Sequence, residues 1–479
     1  MERPPTLNRR LASYRAAIAR VPIPAGPAGD LPRLVRDDLA ERLALVLGGE
    51  VIRHPSGSVV RCESPTRSLP IDRERLARLP GQPPPNVPLV CLDTETTGLA
   101  TAAGTMAFLV GLGWWEGDRF RQVQLALPDQ PDEPALLNLV ARSIPADGWL
   151  VTYNGRGFDW PLLVTRYRLA RRDPPAHAGH LDLLPLVRRL FRHRMDDARL
   201  RTAEAVLLGL HRVGDVDGWE IPGRYLAFLR GAPAEPLAEV ARHNDQDVRS
   251  LARLLIHVER ALGDRNGRAL APAGDLGGLA RAYARERRLD DALDCLELAA
   301  ASEVPAPRAP VADAPARPPG NAAGPQRAED DAWWEASARP DFGGRPRRPL
   351  PTAAIHRREA FADRWTGERI AADRAHILRR LGRTNDAVAA WTSLAAGSGR
   401  LAVLAAIEIS KLCEHRLADP GRALVAARRG LDAADRRRRL GRPEPDLEAD
   451  LLRRAARLRR RLARGAPPRP TLTAVIPGP

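Results

Sequence analysis

The feature that most constrains this chain is an apolar run that ends in two carboxylates. Residues 87–92 are apolar, and Asp93 and Glu95 follow within the stretch V-C-L-D-T-E-T-T-G-L that begins at Val90. The run predicts a buried strand. Side chains two apart on a strand share a face, so the two acids would be neighbours where the strand leaves the core. Adjacent anions repel and lose hydration there, and a divalent cation between them is a common solution. A strand end with solvated acids is the alternative.

Length and composition exclude several classes of protein. The chain has 479 residues, more than one domain at roughly 100–200 residues per domain. Its four cysteines are scattered without a C-x-x-C pair, so neither a zinc site nor a disulfide framework is indicated. The first twenty residues contain no apolar core of a secretion signal, and the longest apolar run, residues 106–115, is too short for a membrane span. We therefore expect a cytoplasmic protein without a membrane partner.

The formal net charge of +16 has two explanations. A basic balance is typical of proteins that bind nucleic acid. However, Lys411 is the only lysine, and an Arg/Ala/Pro/Gly bias also fits a GC-rich coding sequence. The excess lies in the flanks, notably residues 436–464, whereas residues 86–262 are roughly neutral. The arginine-rich helix predicted at residues 447–462 is therefore either a capping helix or a nucleic-acid contact.

Changes in composition divide the chain into six segments. The pattern of residues 86–262 alternates strands and helices, which predicts an α/β mixed sheet flanked by helices. The predicted segments are an N-terminal arm at 1–85 (helices 7–20 and 31–47, a hairpin at 50–63 and a Pro-rich linker), the α/β domain at 86–262, a helical hairpin at 263–303, a disordered Pro/Ala/Arg-rich linker at 304–351, an all-α region at 352–465 and a tail at 466–479.

The helical segments carry a weak repeat. The pattern L-x-x-L-A-x-x-Y of residues 276–283 returns in degenerate form at residues 375–394 and 407–431. Ala387 and Ala423 are separated by close to the roughly 34-residue period of tetratricopeptide repeats. We expect a tetratricopeptide-like all-α region that offers a surface to a protein partner.

Two further polar motifs follow in the α/β domain. Asn154 ends a predicted strand in Y-N-G-R-G-F-D, and Asp159 begins the next helix, where the helix dipole favours an acid. His243 and Asp247 are four apart in the helix predicted at 237–262 and share one face. Each motif also has a simpler explanation. On these simpler explanations, Asn154 would only start an Asx-turn and Asp159 would only be a carboxylate at a helix start. His243 and Asp247 would be a solvated pair on one helical face.

The order of these motifs resembles the DEDD superfamily of 3′→5′ exonucleases on the ribonuclease-H-like fold, and more closely the bacterial YprB-like family. The resemblance covers residues 86–262 and implies a sheet led by three antiparallel strands, followed by parallel ones. Its supporting motifs are Asp-x-Glu on the first strand, Asn-Gly and Phe-Asp after a later strand, His-Asn-x-x-Asp-Val on the last helix, L-D-L-L at 181–184, L-R-T-A-E-A-V-L-L-G at 200–209 and I-P-G-R-Y at 221–225.

The resemblance implies a catalytic site. Asp93, Glu95, Asp159 and Asp247 would be the carboxylate ligands of two divalent cations, Mg²⁺ or Mn²⁺, which prefer oxygen ligands. Two such ions about 4 Å apart hold a phosphodiester, generate hydroxide and stabilise the leaving oxygen. His243 would orient and deprotonate the attacking water, or would only be a hydrogen-bond partner of Asp247.

Substrate contacts and one departure complete the implied site. Thr96 and Thr97 would offer backbone amides to the terminal nucleotide, with a plain turn as the alternative, and Asn154 would contact substrate. In the tyrosine branch of the superfamily the helper residue lies four positions before the last aspartate, and in the histidine branch five. Here His243 stands at the four-residue spacing.

Two functions follow from these residues. The first is a metal-dependent 3′→5′ exonuclease that hydrolyses DNA or RNA. The second is a non-catalytic interaction protein, whose helical repeats bind partners and whose nuclease-like domain serves only for binding. The presence of all four acids favours the first.

Overall fold

The computed structural model of the protein describes residues 33–98, 104–302 and 367–465. The chain divides into two compact units, residues 1–299 with 377–383, and residues 300–376 with 384–479. The predicted helix at 7–20, linker at 304–351 and tail at 466–479 lie outside the described residues.

An eight-stranded mixed sheet is the centre of the first unit. Its strands are β1 Glu50–His54, β2 Gly57–Glu63, β3 Arg67–Ser68, β4 Leu89–Thr96, β5 Ala107–Glu116, β6 Arg119–Ala126, β7 Trp149–Thr152 and β8 Gly179–Asp182. The order is β1-β2-β6-β5-β4-β7-β8, and β3 also pairs with β6. Strands β4, β5 and β6 are antiparallel, whereas β7 is parallel to β4 and β8 to β7. The predicted mixed sheet, antiparallel first and then parallel, is confirmed.

The hairpin predicted in the N-terminal arm forms and joins this sheet. Strand β2 pairs antiparallel with β6, so that Val60 lies opposite Ala126. Val59 and Val60 are completely buried. The hairpin therefore extends the sheet and contributes to its core.

Helices flank the sheet. They are α1 Arg33–Leu47, α2 Arg73–Ala77, α3 Glu133–Ser143, α4 Asp159–Leu169, α5 Leu183–Phe191, α6 Leu200–Ala203, α7 Ile221–Leu229, α8 Pro236–Leu262, α9 Arg265–Leu270, α10 Ala273–Arg285 and α11 Leu289–Ser302. The pattern at residues 200–210 predicts one helix, but the α-helix ends at Ala203 and a π-helical turn, Glu204–Leu208, follows. Gly209 ends this turn at φ +65°, a conformation that glycine adopts without strain.

Two glycines of β5 let α8 approach the sheet closely. A Cβ atom on Gly111 would lie 2.3 Å from Asn244 Oδ1, and one on Gly113 would lie 2.9 Å from Val248 Cγ1. Gly111 is opposite Asp93 in the β4–β5 register. The missing side chains therefore allow Asn244 to lie beside Asp93.

The described part of the second unit is helical, as predicted. A helix at residues 367–380, of which 377–380 are grouped with the first unit, precedes α12 Thr384–Ala395, α13 Arg400–His415, α14 Pro420–Arg439 and α15 Pro445–Gly465. The predicted repeat positions Ala387, Trp391 and Ala423 are buried. Gly430 of α14 packs against Ala406 and Leu451, one residue from each neighbouring helix. These contacts fit helical hairpins, and the tetratricopeptide-like assignment stays a prediction.

Across residues 33–98, 104–302 and 367–465, no helix combines the length and apolar character needed to cross a membrane.

Candidate functional site

Asp93 and Glu95 lie inside β4 and not after its end. Antiparallel pairing with β5 continues past Leu92 and places Glu95 opposite Leu109, so the strand includes both acids. A register shift follows between Glu95 and Thr96. The two carboxylates share one face of the strand, and the side chain of Glu95 is buried. The sheet therefore holds both acids in a rigid element.

Asp159 is the first residue of α4, as predicted, and is buried. The Oγ1 atom of Thr94 donates a hydrogen bond of 2.6 Å to Asp159 Oδ1. Thr94 separates the two acids of β4, so this bond connects the start of α4 to the acid-bearing strand. Thr94 was not singled out from the sequence, because a threonine in a strand carries no signal of its partner.

The turn before Asp159 is held by Asp182. The carboxylate of Asp182 accepts hydrogen bonds from the backbone amides of Asn154 at 2.8 Å and Arg156 at 3.2 Å, and also caps α5 through Leu184 N at 3.0 Å. From the sequence Asp182 is only an acid at a strand end. The structure shows that its carboxylate holds the turn that precedes Asp159.

The Asn154 backbone has a demanding geometry. Its φ of +66° lies in the left-handed region, which asparagine tolerates better than most residues. A Cβ atom on Gly155 would lie 2.5 Å from Thr152 Cβ, so the turn requires glycine there. The Asn-Gly pair is thus explained by the turn, and a substrate contact by Asn154 stays a prediction.

Helix α8 carries three polar residues of the site. Oδ2 of Asp247 lies 3.6 Å from His243 Nε2, which agrees with their predicted shared face. Asn244 Nδ2 donates a hydrogen bond of 2.9 Å to Asp93 Oδ2, and Gln124 Nε2 donates one of 2.9 Å to Asn244 Oδ1. Asn244 is a site residue that sequence reasoning missed, although its place in the His-Asn-x-x-Asp motif was visible.

The four predicted carboxylates meet closely enough to affect one another. Burial, and then the charges of Asp247 and Asp159, raise the pKa of Asp93 well above its ordinary value. Burial and the charge of Asp93 do the same for Glu95. Burial raises the pKa of Asp159 to about 6, against the hydrogen bond from Thr94. Burial also raises the pKa of Asp247. The four acids therefore lie near enough for their charges to interact, and their joint role as a metal site stays a prediction.

Arg212 is the cation of this cluster, and its side chain is 3% exposed. Nε and Nη2 donate to the two oxygens of Glu204 at 2.6 and 2.7 Å, and Nη1 donates to Asp215 Oδ2 at 3.0 Å. Nη2 also donates to Asp247 Oδ1. Burial opposes the charge of Arg212, but these carboxylates raise its pKa above the ordinary value. Sequence reasoning missed Arg212, and the only signal was Glu204, an acid in an apolar segment that needs a partner when buried.

Asp215 orients His243. The Nδ1 atom of His243 lies 2.7 Å from Asp215 Oδ1. When Nδ1–H donates to this carboxylate, Nε2 keeps its lone pair on the side of Asp247. Burial acts against ionisation of Asp215, but His243 and Arg212 lower its pKa below the ordinary value. The pair has the arrangement of a histidine held in one tautomer by an acid.

Thr96 and Thr97 lie after the two acids of β4, at the entrance of the loop to Met106. Thr96 Oγ1 donates to Gly98 O at 2.7 Å. The Thr97 backbone amide donates to Met106 O at 2.9 Å, and Thr97 Oγ1 accepts from Met106 N at 3.0 Å. These bonds close the base of the loop, and the Thr97 amide already has a hydrogen-bond partner in the Met106 carbonyl.

The chemistry of the acid cluster fits a divalent cation. Carboxylates whose pKa values are raised by burial, and then by the charges of their neighbours, are the oxygen ligands that Mg²⁺ and Mn²⁺ prefer. Among the described residues, no group of three or more His, Cys, Asp or Glu side chains is already arranged to hold a metal ion. Binding would therefore require the carboxylates to turn toward a common point.

Comparison with known proteins covers the same region. The family model RNase_H_2, of the RNase_H superfamily, matches residues 90–259. "Uncharacterized protein YprB" of Bacillus subtilis (strain 168) is 39% identical over 176 residues, which are 36% of this chain and 42% of that protein. The chain thus spans less than half the length of this relative. The family match begins in β4 and ends in α8, so it includes all four carboxylates. Together, the strand order and the match show that residues 90–259 carry a ribonuclease-H-like fold.

Proposed function

We propose that this protein is a metal-dependent 3′→5′ exonuclease of the DEDD type, which hydrolyses phosphodiester bonds of DNA or RNA. The observation that supports the proposal is the pair of hydrogen bonds, Thr94 to Asp159 and Asn244 to Asp93, that link the three elements bearing the four acids on a ribonuclease-H-like sheet. Without nearby positive charge such carboxyl groups hold protons, as the raised pKa values of Asp93 and Glu95 indicate, whereas a bound cation lets them ionise. The order of the four acids supports the exonuclease class.

The four carboxylates would hold two Mg²⁺ or Mn²⁺ ions, which supply neutralisation of the phosphodiester and activation of the attacking water. The remaining residues position this set. Thr94 holds Asp159 and Asn244 holds Asp93. Both bonds come from neutral donors, so they orient the acids without reducing the negative charge.

His243 is proposed as the general base. Its Nδ1 side is occupied by Asp215, so Nε2 is the atom that accepts the proton of the attacking water. The carboxylate of Asp215 also stabilises the imidazolium that forms. This arrangement supports a catalytic role for His243 over that of a mere partner of Asp247.

Loss of hydrolysis in Asp93→Asn tests the proposal. Wild-type protein with Mg²⁺ or Mn²⁺ should shorten end-labelled oligonucleotides, and Asp93→Asn should lower the rate by at least about 10²-fold, because a ligand of the cation is lost. Asp147→Asn, at an exposed turn before β7, is the matched control and should keep the activity.

The type of nucleic acid that is hydrolysed, and the end from which nucleotides are removed, test the rest of the proposal. Single- and double-stranded DNA and RNA should be tried with a label at either end, because removal from the 3′ end leaves 5′-labelled products of decreasing length. Absence of hydrolysis of all four substrates with both cations would contradict the enzyme proposal and favour the non-catalytic alternative.

The helices of the second unit are proposed to bind a protein partner or the substrate in a tetratricopeptide-like manner. Support comes from the buried repeat positions and from consecutive helices packed at Gly430. A cytoplasmic location is proposed on the cysteines. Cys62, Cys91, Cys295 and Cys413 are all free and buried, which suits a reducing environment.

A further inference from the structure

A cavity of about 930 Å³ lies beside the second half of α8. Its walls come from the end of β3, the π-helical turn, α8, and the segment from α9 to α10. Arg253, Ile256, His257 and Arg260 line it from α8 at the spacing of one helix face. None of the four acids of the candidate site is in the described lining. This volume lies at the upper end of the range of about 300–1,000 Å³ for pockets that take small molecules.

The polar part of the lining is positively charged. Among the described residues, Asp275 is the one acid of the cavity wall, and Arg194 neutralises it at 3.0 Å. Arg253 and Arg260 form no ion pair within the described parts of the chain. Arg253 is half-buried, and its pKa is lowered by burial and then by the charge of Arg249. An anionic ligand would relieve this excess of positive charge.

The rest of the lining is mainly apolar. Leu207 and Leu208 come from the π-helical turn, Leu210 follows it, and Leu270 ends α9 with its side chain 90% exposed. Exposed apolar surface beside a cavity favours a ligand that covers it. A small inorganic anion would leave these leucines uncovered. The lining therefore fits an anion that carries an apolar body.

We propose that this cavity binds a nucleoside monophosphate, with its phosphate on Arg253 and Arg260 and its base against the leucines. The planar fork of arginine suits phosphate oxygens. The choice of ligand rests on the proposed function, because hydrolysis at a 3′ end breaks the bond to the 3′ oxygen of the strand and leaves the phosphate on the released nucleotide. The cavity is thus a product-binding site that is separate from the acid cluster.

A strand of nucleic acid fits this cavity less well than a free nucleotide. Sites for single strands stack successive bases on aromatic side chains. In the described lining, His257 is the one aromatic side chain, and its ring already packs on Phe191 with 5.7 Å between the centroids. The apolar wall is made of leucines, which cover one base but offer no row of stacking rings.

Calorimetric titration of the full chain with adenosine 5′-monophosphate in EDTA tests this inference. EDTA removes divalent cations, so the phosphate cannot bind through a metal ion. Wild type should bind one equivalent, and adenosine and inorganic phosphate should each bind at least about tenfold more weakly, because each offers only part of the contacts. Arg253→Gln should weaken the binding of adenosine 5′-monophosphate by about tenfold or more. Arg142→Gln, at an exposed position of α3 outside the lining, is the control and should match wild type.

Two variants at exposed positions keep the test decisive if circular dichroism shows that Arg253→Gln does not fold. Arg260→Gln removes a phosphate contact, and Leu270→Glu places a carboxylate at the cavity wall. Each should weaken the binding of adenosine 5′-monophosphate by about threefold or more. Wild-type affinity in the folded variants would overturn the inference. Displacement of the nucleotide by a single-stranded oligonucleotide that binds more tightly and also requires Arg253 would assign the cavity to a strand, and would likewise overturn it.

Asp93→Asn separates this inference from the proposed function. In EDTA this variant should bind adenosine 5′-monophosphate as wild type does, and a loss of binding would place the nucleotide at the acid cluster and overturn the inference. Absence of binding to wild type would also overturn it, and the exonuclease proposal would still be decided by its own hydrolysis assays. Nucleotide binding without hydrolysis of any substrate would support the cavity assignment and contradict the proposed function.

Discussion

The amide of Asn244 shows how one neutral side chain organises an anionic site. It donates to Asp93 and accepts from Gln124, and it is completely buried. A carboxylate of the same size would still accept from Gln124 but would repel Asp93. The residue type at this position therefore controls how much negative charge the cluster carries.

Asn244→Asp tests this balance. The substitution adds a buried anion beside Asp93, so without divalent cations the free energy of unfolding should fall by about 1–3 kcal/mol. Mn²⁺ should restore more stability to Asn244→Asp than to wild type, because the added charge attracts the cation. Urea unfolding with EDTA and with Mn²⁺ measures both effects. The exposed Asn266→Asp is the control, and an equal loss in both variants would contradict the role of Asn244.

His180 gives a pH dependence that is separate from the acid cluster. Its Nε2 atom lies 2.8 Å from Thr152 Oγ1 in a buried position. Burial, and then the charge of Arg156, lower the pKa of His180 from 6.5 to about 4. The folded state therefore keeps this histidine neutral where the unfolded chain takes up a proton.

The contribution of neutral His180 to the free energy of unfolding should accordingly be fully present above pH 6.5, and it should be lost progressively as the pH falls from 6.5 to about 4. At pH 5 this one group should cost wild type on the order of 2 kcal/mol relative to pH 7.5. His180→Gln should lose correspondingly less over the same interval, because glutamine does not titrate. Urea unfolding at the two pH values measures the difference. Equal losses in the two proteins would show that His180 is not responsible.

At the scale of elements, the contact of α8 with β5 builds the site. Gly111 and Gly113 leave room for Asn244 and Val248, so the helix lies directly over the acid-bearing strand. The helix then brings Asp247, from the end of the domain, to Asp93 near its beginning. Close packing of one helix on one strand thus decides whether the acids meet.

Gly111→Ala should disturb this contact. Its Cβ atom would lie 2.3 Å from Asn244 Oδ1 and 2.7 Å from Val248 Cγ2, so these side chains or α8 itself must shift, and overpacking of this kind costs about 1–3 kcal/mol. Hydrolysis should fall as well, because the clash disturbs Asn244, which donates a hydrogen bond to Asp93. Gly223→Ala in α7, where no atom lies within 4 Å of the new Cβ, should be neutral or slightly stabilising. Urea unfolding compares the two, and equal stability would contradict the packing argument.

At the scale of the whole molecule, the ribonuclease-H-like region depends on residues that precede it. The family match begins at residue 90, but β2 pairs with β6 and Ser64 Oγ donates to Asp245 on α8. Without the hairpin, β6 would present an unpaired edge, which favours aggregation. Strand β2 and Ser64 are therefore part of the folded region that contains the family match.

A comparison of two fragments tests this dependence. Residues 33–302 should unfold cooperatively, whereas residues 86–302 should be less stable by several kcal/mol and prone to aggregate, because Val59 and Val60 no longer fill the core. Thermal unfolding and size-exclusion chromatography measure both properties. Equal stability of the fragments would show that the hairpin is dispensable.

The sequence by itself determined the local features of this protein. Period-two alternation put Asp93 and Glu95 on one face, and helical spacing put His243 near Asp247. The resemblance then predicted that the four acids meet. The two predictions of a shared face are confirmed, because backbone periodicity is a local property that each segment carries with it.

Only the tertiary structure decided which polar groups surround those acids. Arg212 lies 35 residues before Asp247 in the chain, and Asn244 lies 151 residues after Asp93. Sequence periodicity does not predict contacts between such distant residues. These contacts depend on a π-helical turn and on the close approach of α8 to Gly111. Long-range packing therefore determined how the charge of the site is balanced, which the order of motifs does not encode.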